Sequence, residues 1–164
     1  MAKLAEVVPR PIAFRLALIT GLIVLVVDQI TKNWARDNLQ GEPQQVIGEW
    51  LQVRYSENTG AAFSSFTGFG PLIALLAIGV VIFLVFLVSR THRRVDLIAL
   101  GLILGGAMGN LSDRVFRGEG VLDGAVVDWI DWWFIPTFNV ADAALNVGVA
   151  VLLIAAVFFP ENHE

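Results

Sequence analysis

Four long apolar runs dominate the chain, at about residues 12–34, 71–88, 95–111 and 140–159. A helix needs about 17–25 residues to cross the hydrocarbon core of a bilayer, and each run is roughly that long. In lipid every backbone N–H and C=O must find a partner within the protein, so such runs fold as spanning helices. Composition agrees: 56% of the 164 residues are hydrophobic and only 16% are charged, with a mean hydropathy of +0.70. The expected fold is an all-α membrane protein with a small β element, a single polytopic domain of four transmembrane helices. Lys3, Arg10 and Arg15 give the first run the look of a cleavable leader. It ends in Asp28-Gln29-Ile30-Thr31-Lys32 rather than in small residues, and is read as a retained span.

Basic residues near the span ends set the expected orientation. Lys3, Arg10 and Arg15 precede the first span, and Arg90, Arg93 and Arg94 crowd the short link between the second and third. Both termini and this link are therefore expected in the cytoplasm. The two long connections, 35–70 and 112–139, fall outside. Val46 to Tyr55 is β-branched and aromatic with partial alternation, which predicts one or two short strands. Ser56 to Gly60 reads as a turn. Trp129, Trp132, Trp133 and Phe134 in the second connection suit the headgroup interface. Together the two connections predict a β-like platform on the outer face.

The inventory of reactive groups is short. There is no cysteine, and the two histidines, His92 and His163, stand far apart. Thiolate chemistry, disulfides and a histidine metal site are therefore not expected. The net charge of −4 is small and no basic stripe appears, which argues against a nucleic-acid partner. Carboxylates remain. Asp128 lies in Val126-Val127-Asp128-Trp129-Ile130, and Asp142 opens the last apolar run in Phe138-Asn139-Val140-Ala141-Asp142. A carboxylate at the edge of a bilayer core is costly and usually functional. Asn139 as a cap and the dipole of the fourth helix would explain Asp142 alone, but not Asp128. Gly105 and Gly109 have the spacing of a helix-packing face. Asn110 and Arg114 are i, i+4 neighbours, as are Asp28 and Lys32, a pair expected to stabilise a helix end modestly.

Five segments in order carry a resemblance: Asp28 to Lys32, Tyr55 to Ser64, Gly105 to Arg114, Val126 to Asp128, and Phe138 to Asp142. Over nearly its full length the chain resembles the lipoprotein signal peptidases, the signal peptidase II family. The resemblance implies an intramembrane aspartic endopeptidase of the bacterial plasma membrane, with no cofactor and no metal. Its substrate would be a diacylglyceryl-modified prolipoprotein, cut just before the lipidated cysteine, with membrane lipid as the other partner. The catalytic pair would be Asp128 and Asp142. Asn58, Gly60, Asn110, Arg114 and Asn139 would shape the site and bind substrate backbone, and Asp28 and Lys32 would support it. A monomer suffices for that chemistry. The run from Arg114 to Asp128 is longer than the family pattern and that from Asp128 to Asp142 shorter. Gln40 to Tyr55 and the Trp-rich connection are candidates for a cover over the site. A proton-coupled transporter, whose essential acid should lie near the bilayer midplane, and a non-catalytic scaffold are the competing readings.

Overall fold

A computed structural model describes residues 8–60 and 70–158. Its elements run α1 (Arg10–Asn38), β1 (Gln44–Ile47), β2 (Leu51–Asn58), α2 (Gly70–Arg90), α3 (Arg94–Phe116), β3 (Val126–Trp132), β4 (Ile135–Phe138) and α4 (Val140–Phe158). All four helices are long and apolar enough to cross a membrane. The expected spans are each recovered, but α1 continues four residues past Trp34 and α3 five past Leu111. Both extensions are polar, and both occur where the helices meet the sheet. Segment 61–64, part of one matching motif, lies outside the described residues.

α3 is the central helix, packed against α1, α2 and α4. Its interface with α1 and α2 holds the main apolar core, including Ala17, Leu84, Val88, Leu97, Leu100 and Leu104. The buried face of α1 runs Ala13, Ala17, Gly21, Val24, Asp28, Lys32, Ala35. Ile19, Leu22, Ile23, Val26 and Ile30 on the other face are exposed. This is the pattern a lipid solvent selects: apolar groups face outward, and charges turn inward where other protein groups satisfy them. Lipid tails are as apolar as leucine, so association here depends on close backbone packing rather than on escape from water. The glycine stripe of α3 provides it. A Cβ on Gly105 would lie 2.5 Å from the Gly21 carbonyl oxygen, so only glycine allows α1 this near.

The four strands form one antiparallel sheet in the order β1-β2-β3-β4. It caps the bundle end where α1 and α3 finish and α2 and α4 begin. Gly48, at φ 51°, turns the β1–β2 hairpin. Ser56 to Asn58 were expected in a turn. They instead continue β2 and pair with Asp128, Val127 and Val126. The strand runs on past an irregularity between Val53 and Ser56, because β3 supplies a partner that one segment cannot reveal. The two candidate cover segments supply the strands β1, β2, β3 and β4 of this sheet. The long run after Arg114 forms a loop in which Asp123 accepts the Gly120 N–H, at 3.0 and 3.1 Å from its two carboxylate oxygens. Trp34 of α1 meets Trp129 of β3 edge-on at 5.6 Å, joining sheet to bundle.

Substituting valine at Gly105 must push α1 from α3. Such overpacking is expected to cost about 3 kcal/mol, read as a lower thermal unfolding midpoint of the protein in detergent. An unchanged midpoint would refute the close-packing role.

Candidate active site

The site is built around a buried ammonium. Lys32, with no exposed surface, contacts Asp28 Oδ2 at 2.8 Å and Asp113 Oδ2 at 2.8 Å, and donates to Asn110 Oδ1 at 2.9 Å. Three protons meet three acceptors, so the ammonium is saturated. Asp28 is equally buried, and its other oxygen accepts the Ala141 N–H at 2.9 Å, in the first turn of α4. Asp113 Oδ2 also accepts the Val127 N–H of β3 at 3.1 Å. Its Oδ1 pairs with Arg117 at 2.8 Å and accepts from Gln29 at 3.0 Å. One network thus fastens α1, α3, α4 and β3. The modest interfacial pair expected of Asp28 and Lys32 is instead a buried, multiply bonded cluster. The i, i+4 spacing was legible, but the partners come from elsewhere in the chain.

Gly109 makes room for this cluster. A Cβ there would lie 2.6 Å from Asp28 Oδ2.

Asn110 passes the arrangement on. Its Oδ1 faces Lys32, which turns its amide N–H toward Asp142 Oδ1, at 2.8 Å. Asn139 then grips both aspartates. Its Nδ2 donates to Asp128 Oδ1 at 2.6 Å, while its Oδ1 accepts the Asp142 backbone N–H at 2.9 Å. Its own N–H donates to Asp142 Oδ2 at 3.3 Å. This reciprocal pattern is a capping box at the start of α4, and it fixes both residues by local geometry. Asn58 adds a bond of 3.3 Å to Asp128 Oδ2, and its Oδ1 accepts the Gly60 N–H at 3.0 Å. Arg114 is buried and donates to the Gly60 carbonyl, holding that backbone against α3.

Asp128 and Asp142 open into the same cleft, of about 900 Å³. Asn58, Gly60, Asn110 and Arg114 line it too, and Ile73 and Ala77 of α2 face Ala143 and Val147 of α4 across it. The cleft therefore runs from the polar end of the bundle down between two spans. Asp128 is 4% exposed. Burial, and next the neighbouring Asp142 charge, push its carboxyl up to about 7, against the opposing bonds from Asn139 and Asn58. The acidic neighbours have other partners: Asp131 pairs with Arg54 at 3.0 Å, and Asp123 closes its own loop. Among the described residues no cluster of three metal-ligating side chains occurs.

All nine residues singled out from the sequence fall in or directly behind this cleft. Asp113, Gln29 and Arg117 were missed as members. The Asp113–Arg117 spacing of four offered a signal, whereas Gln29 offered none, since its partners beyond the adjacent Asp28 lie about eighty positions away.

Comparison with known proteins agrees with the geometry. The signal peptidase (SPase) II family, peptidase family A8, matches residues 20–158. The lipoprotein signal peptidase of Rhodococcus jostii (strain RHA1) is 42% identical over 153 residues, 89% of this chain and 76% of that protein. That of Mycobacterium tuberculosis (strain ATCC 25618 / H37Rv) is 40% identical over 151 residues, 90% of this chain and 74% of that protein. Two bacterial membrane enzymes solved by the in meso method superpose on the fold. One, at 2.3 Å resolution, gives a TM-score of 0.79 with 28% identity, covering 90% of this chain and 91% of that one. The other, at 1.9 Å, gives 0.74 with 30% identity, covering 86% and 92%. These likenesses define the class as a multi-pass membrane peptidase of the aspartic type. Within that class, the chain belongs to the signal peptidase II family, the lipoprotein signal peptidases. The transporter and scaffold readings fall with that assignment.

Lys32→Met would leave Asp28 and Asp113 buried without their counter-charge. Breaking such a cluster is expected to cost about 3–5 kcal/mol, measured by unfolding in detergent. The exposed Arg36–Asp37 pair is the control: Arg36→Met should change stability by less than about 1 kcal/mol. Equal effects would contradict the special standing of Lys32.

Proposed function

We propose that Asp128 and Asp142 form a catalytic dyad that activates water to cleave a diacylglyceryl-modified prolipoprotein just before its lipidated cysteine. The observation that carries this reading is Asn139, which bonds both carboxylates where they open into one cleft. Two carboxyls held this way share a proton, since neighbouring like charges resist ionising together.

The environment distinguishes the two. Asp128, the more buried, holds the proton and acts as the acid. Asp142 accepts from Asn110 and from the Asn139 backbone, and lies in the first turn of α4, where the helix dipole favours negative charge. It is the base. Asp142 takes a proton from a water in the cleft, and the oxygen of that water attacks the scissile carbonyl carbon. Asp128 donates its proton to the carbonyl oxygen. Collapse of the resulting gem-diol breaks the C–N bond: the proton gained by Asp142 passes to the leaving amine, one hydroxyl proton returns to Asp128 as the new carboxyl forms, and both aspartates regain their starting states. Asn58, Gly60 and Arg114 at the rim position substrate backbone. The apolar walls from α2 and α4 match a substrate tethered by lipid, with the acyl chains in the bilayer beside the cleft. Basic residues at the opposite bundle end support cytoplasmic termini and an outer-face site.

The test is purified protein in lipid with a diacylglyceryl-modified prolipoprotein. The expected product begins with the lipidated cysteine, identified by mass spectrometry. Cleavage elsewhere, or no cleavage, would refute the reading. Asp128 must be protonated to act as acid, so kcat/KM should fall as pH rises through about 7. A rate that climbs steadily across that range would refute the acid assignment.

A further inference from the structure

Asn146 stands one turn further into α4 than Asp142, within a span otherwise rich in alanine, valine and leucine. Its side chain is exposed and lines the same cleft as the two aspartates. Polar side chains at membrane depth are costly and usually have a partner there. Helix packing does not account for this one. Its Nδ2 donates to the Asp142 backbone carbonyl at 2.9 Å, a group that already lies within the helix ladder. That bond fixes the amide with its N–H end toward the helix and its Oδ1 left for the cleft. Among the described residues, Oδ1 receives no hydrogen bond.

We infer that Asn146 is a substrate-binding residue, whose Oδ1 accepts a hydrogen bond from a backbone N–H of the extended signal-peptide segment. The inference rests on the proposed cleavage reaction and adds a contact deeper in the cleft. A peptide bond is attacked in an extended chain, so a helical signal segment must unwind locally. Each backbone N–H freed in apolar surroundings costs several kcal/mol unless an acceptor meets it. Beyond Asp142, the walls facing the cleft from α2 and α4 are Ile73, Ala77, Ala143 and Val147, and Asn146 is the polar group among them. The ligand must be a donor, because Oδ1 only accepts. Lipid ester carbonyls also only accept, so the partner is peptide rather than diacylglycerol.

Geometry gives the position. Four helical residues descend about 6 Å, and an extended chain covers that in about two residues. With the site near the outer face, deeper means toward the signal peptide. Asn146 therefore meets a peptide unit about two residues upstream of the scissile bond.

The experiment uses the full-length enzyme in lipid and a diacylglyceryl-modified prolipoprotein peptide. Three analogues each replace one of the first three upstream amides by an ester, removing its N–H. Asn146→Leu and Asn146→Ala, each checked for an unchanged unfolding midpoint, should both lose about tenfold in kcat/KM, the value of one hydrogen bond. One ester analogue should impose a similar loss on the wild type and no further loss on either variant. Full activity in a folded variant, or losses that add with every analogue, would overturn the inference. If wild type cleaves, Asp142→Asn does not, and Asn146→Leu is unaffected, this contact alone is wrong. A wild type that leaves the all-amide substrate intact overturns the cleavage reaction and this contact together.

Discussion

A lysine ammonium with no exposed surface is the constraint around which the polar end of this protein is organised. Removing such a charge from water costs several kcal/mol, and it persists only where hydrogen bonds and counter-charges meet every proton. Lys32 has that complement in Asp28, Asp113 and Asn110. Each partner belongs to a further contact: Asp28 to the start of α4, Asp113 to β3 and Arg117, Asn110 to Asp142. The same charge that ties the helices together also sets the orientation of the Asn110 amide toward Asp142. Structure and proposed chemistry thus share one cluster, held at the polar end of the apolar bundle.

The proposed dyad rests on two different backbones meeting. Asp128 comes from the buried end of a strand and Asp142 from the first turn of a helix, with the capping box of α4 between them. A capping asparagine ordinarily satisfies its own helix and nothing more. Here Asn139 keeps one amide proton for Asp128. Local helix-start geometry is thereby converted into a fixed relation between two carboxylates. Their surroundings differ: Asp128 is buried on a strand, and Asp142 is half-buried in the first turn of α4.

Much of this was legible in the sequence. The four spans follow from the length of the apolar runs, because lipid leaves few folding options. Strands in the first long connection follow from β-branched alternation. Asp128 and Asp142 stand out because carboxylates are rare in such a setting. What stayed hidden depended on long-range partners. The continuation of β2 through Ser56 to Asn58 needed β3 opposite it. The i, i+4 pairing of Asp28 and Lys32 showed nothing of Asp113, eighty-one positions beyond Lys32. Gly109 read as a packing residue until the structure put Asp28 against it, and Gln29 carried no reading of its own.

The coupling of the two aspartates is the central claim, and cleavage kinetics of the single and double asparagine variants test it most directly. Residues that act as one unit do not contribute additively. Asp128→Asn and Asp142→Asn, each folded in lipid, should abolish cleavage of the diacylglyceryl-modified substrate as completely as the double variant does. Substantial cleavage by either single variant, or losses that multiply in the double, would contradict a shared-proton dyad.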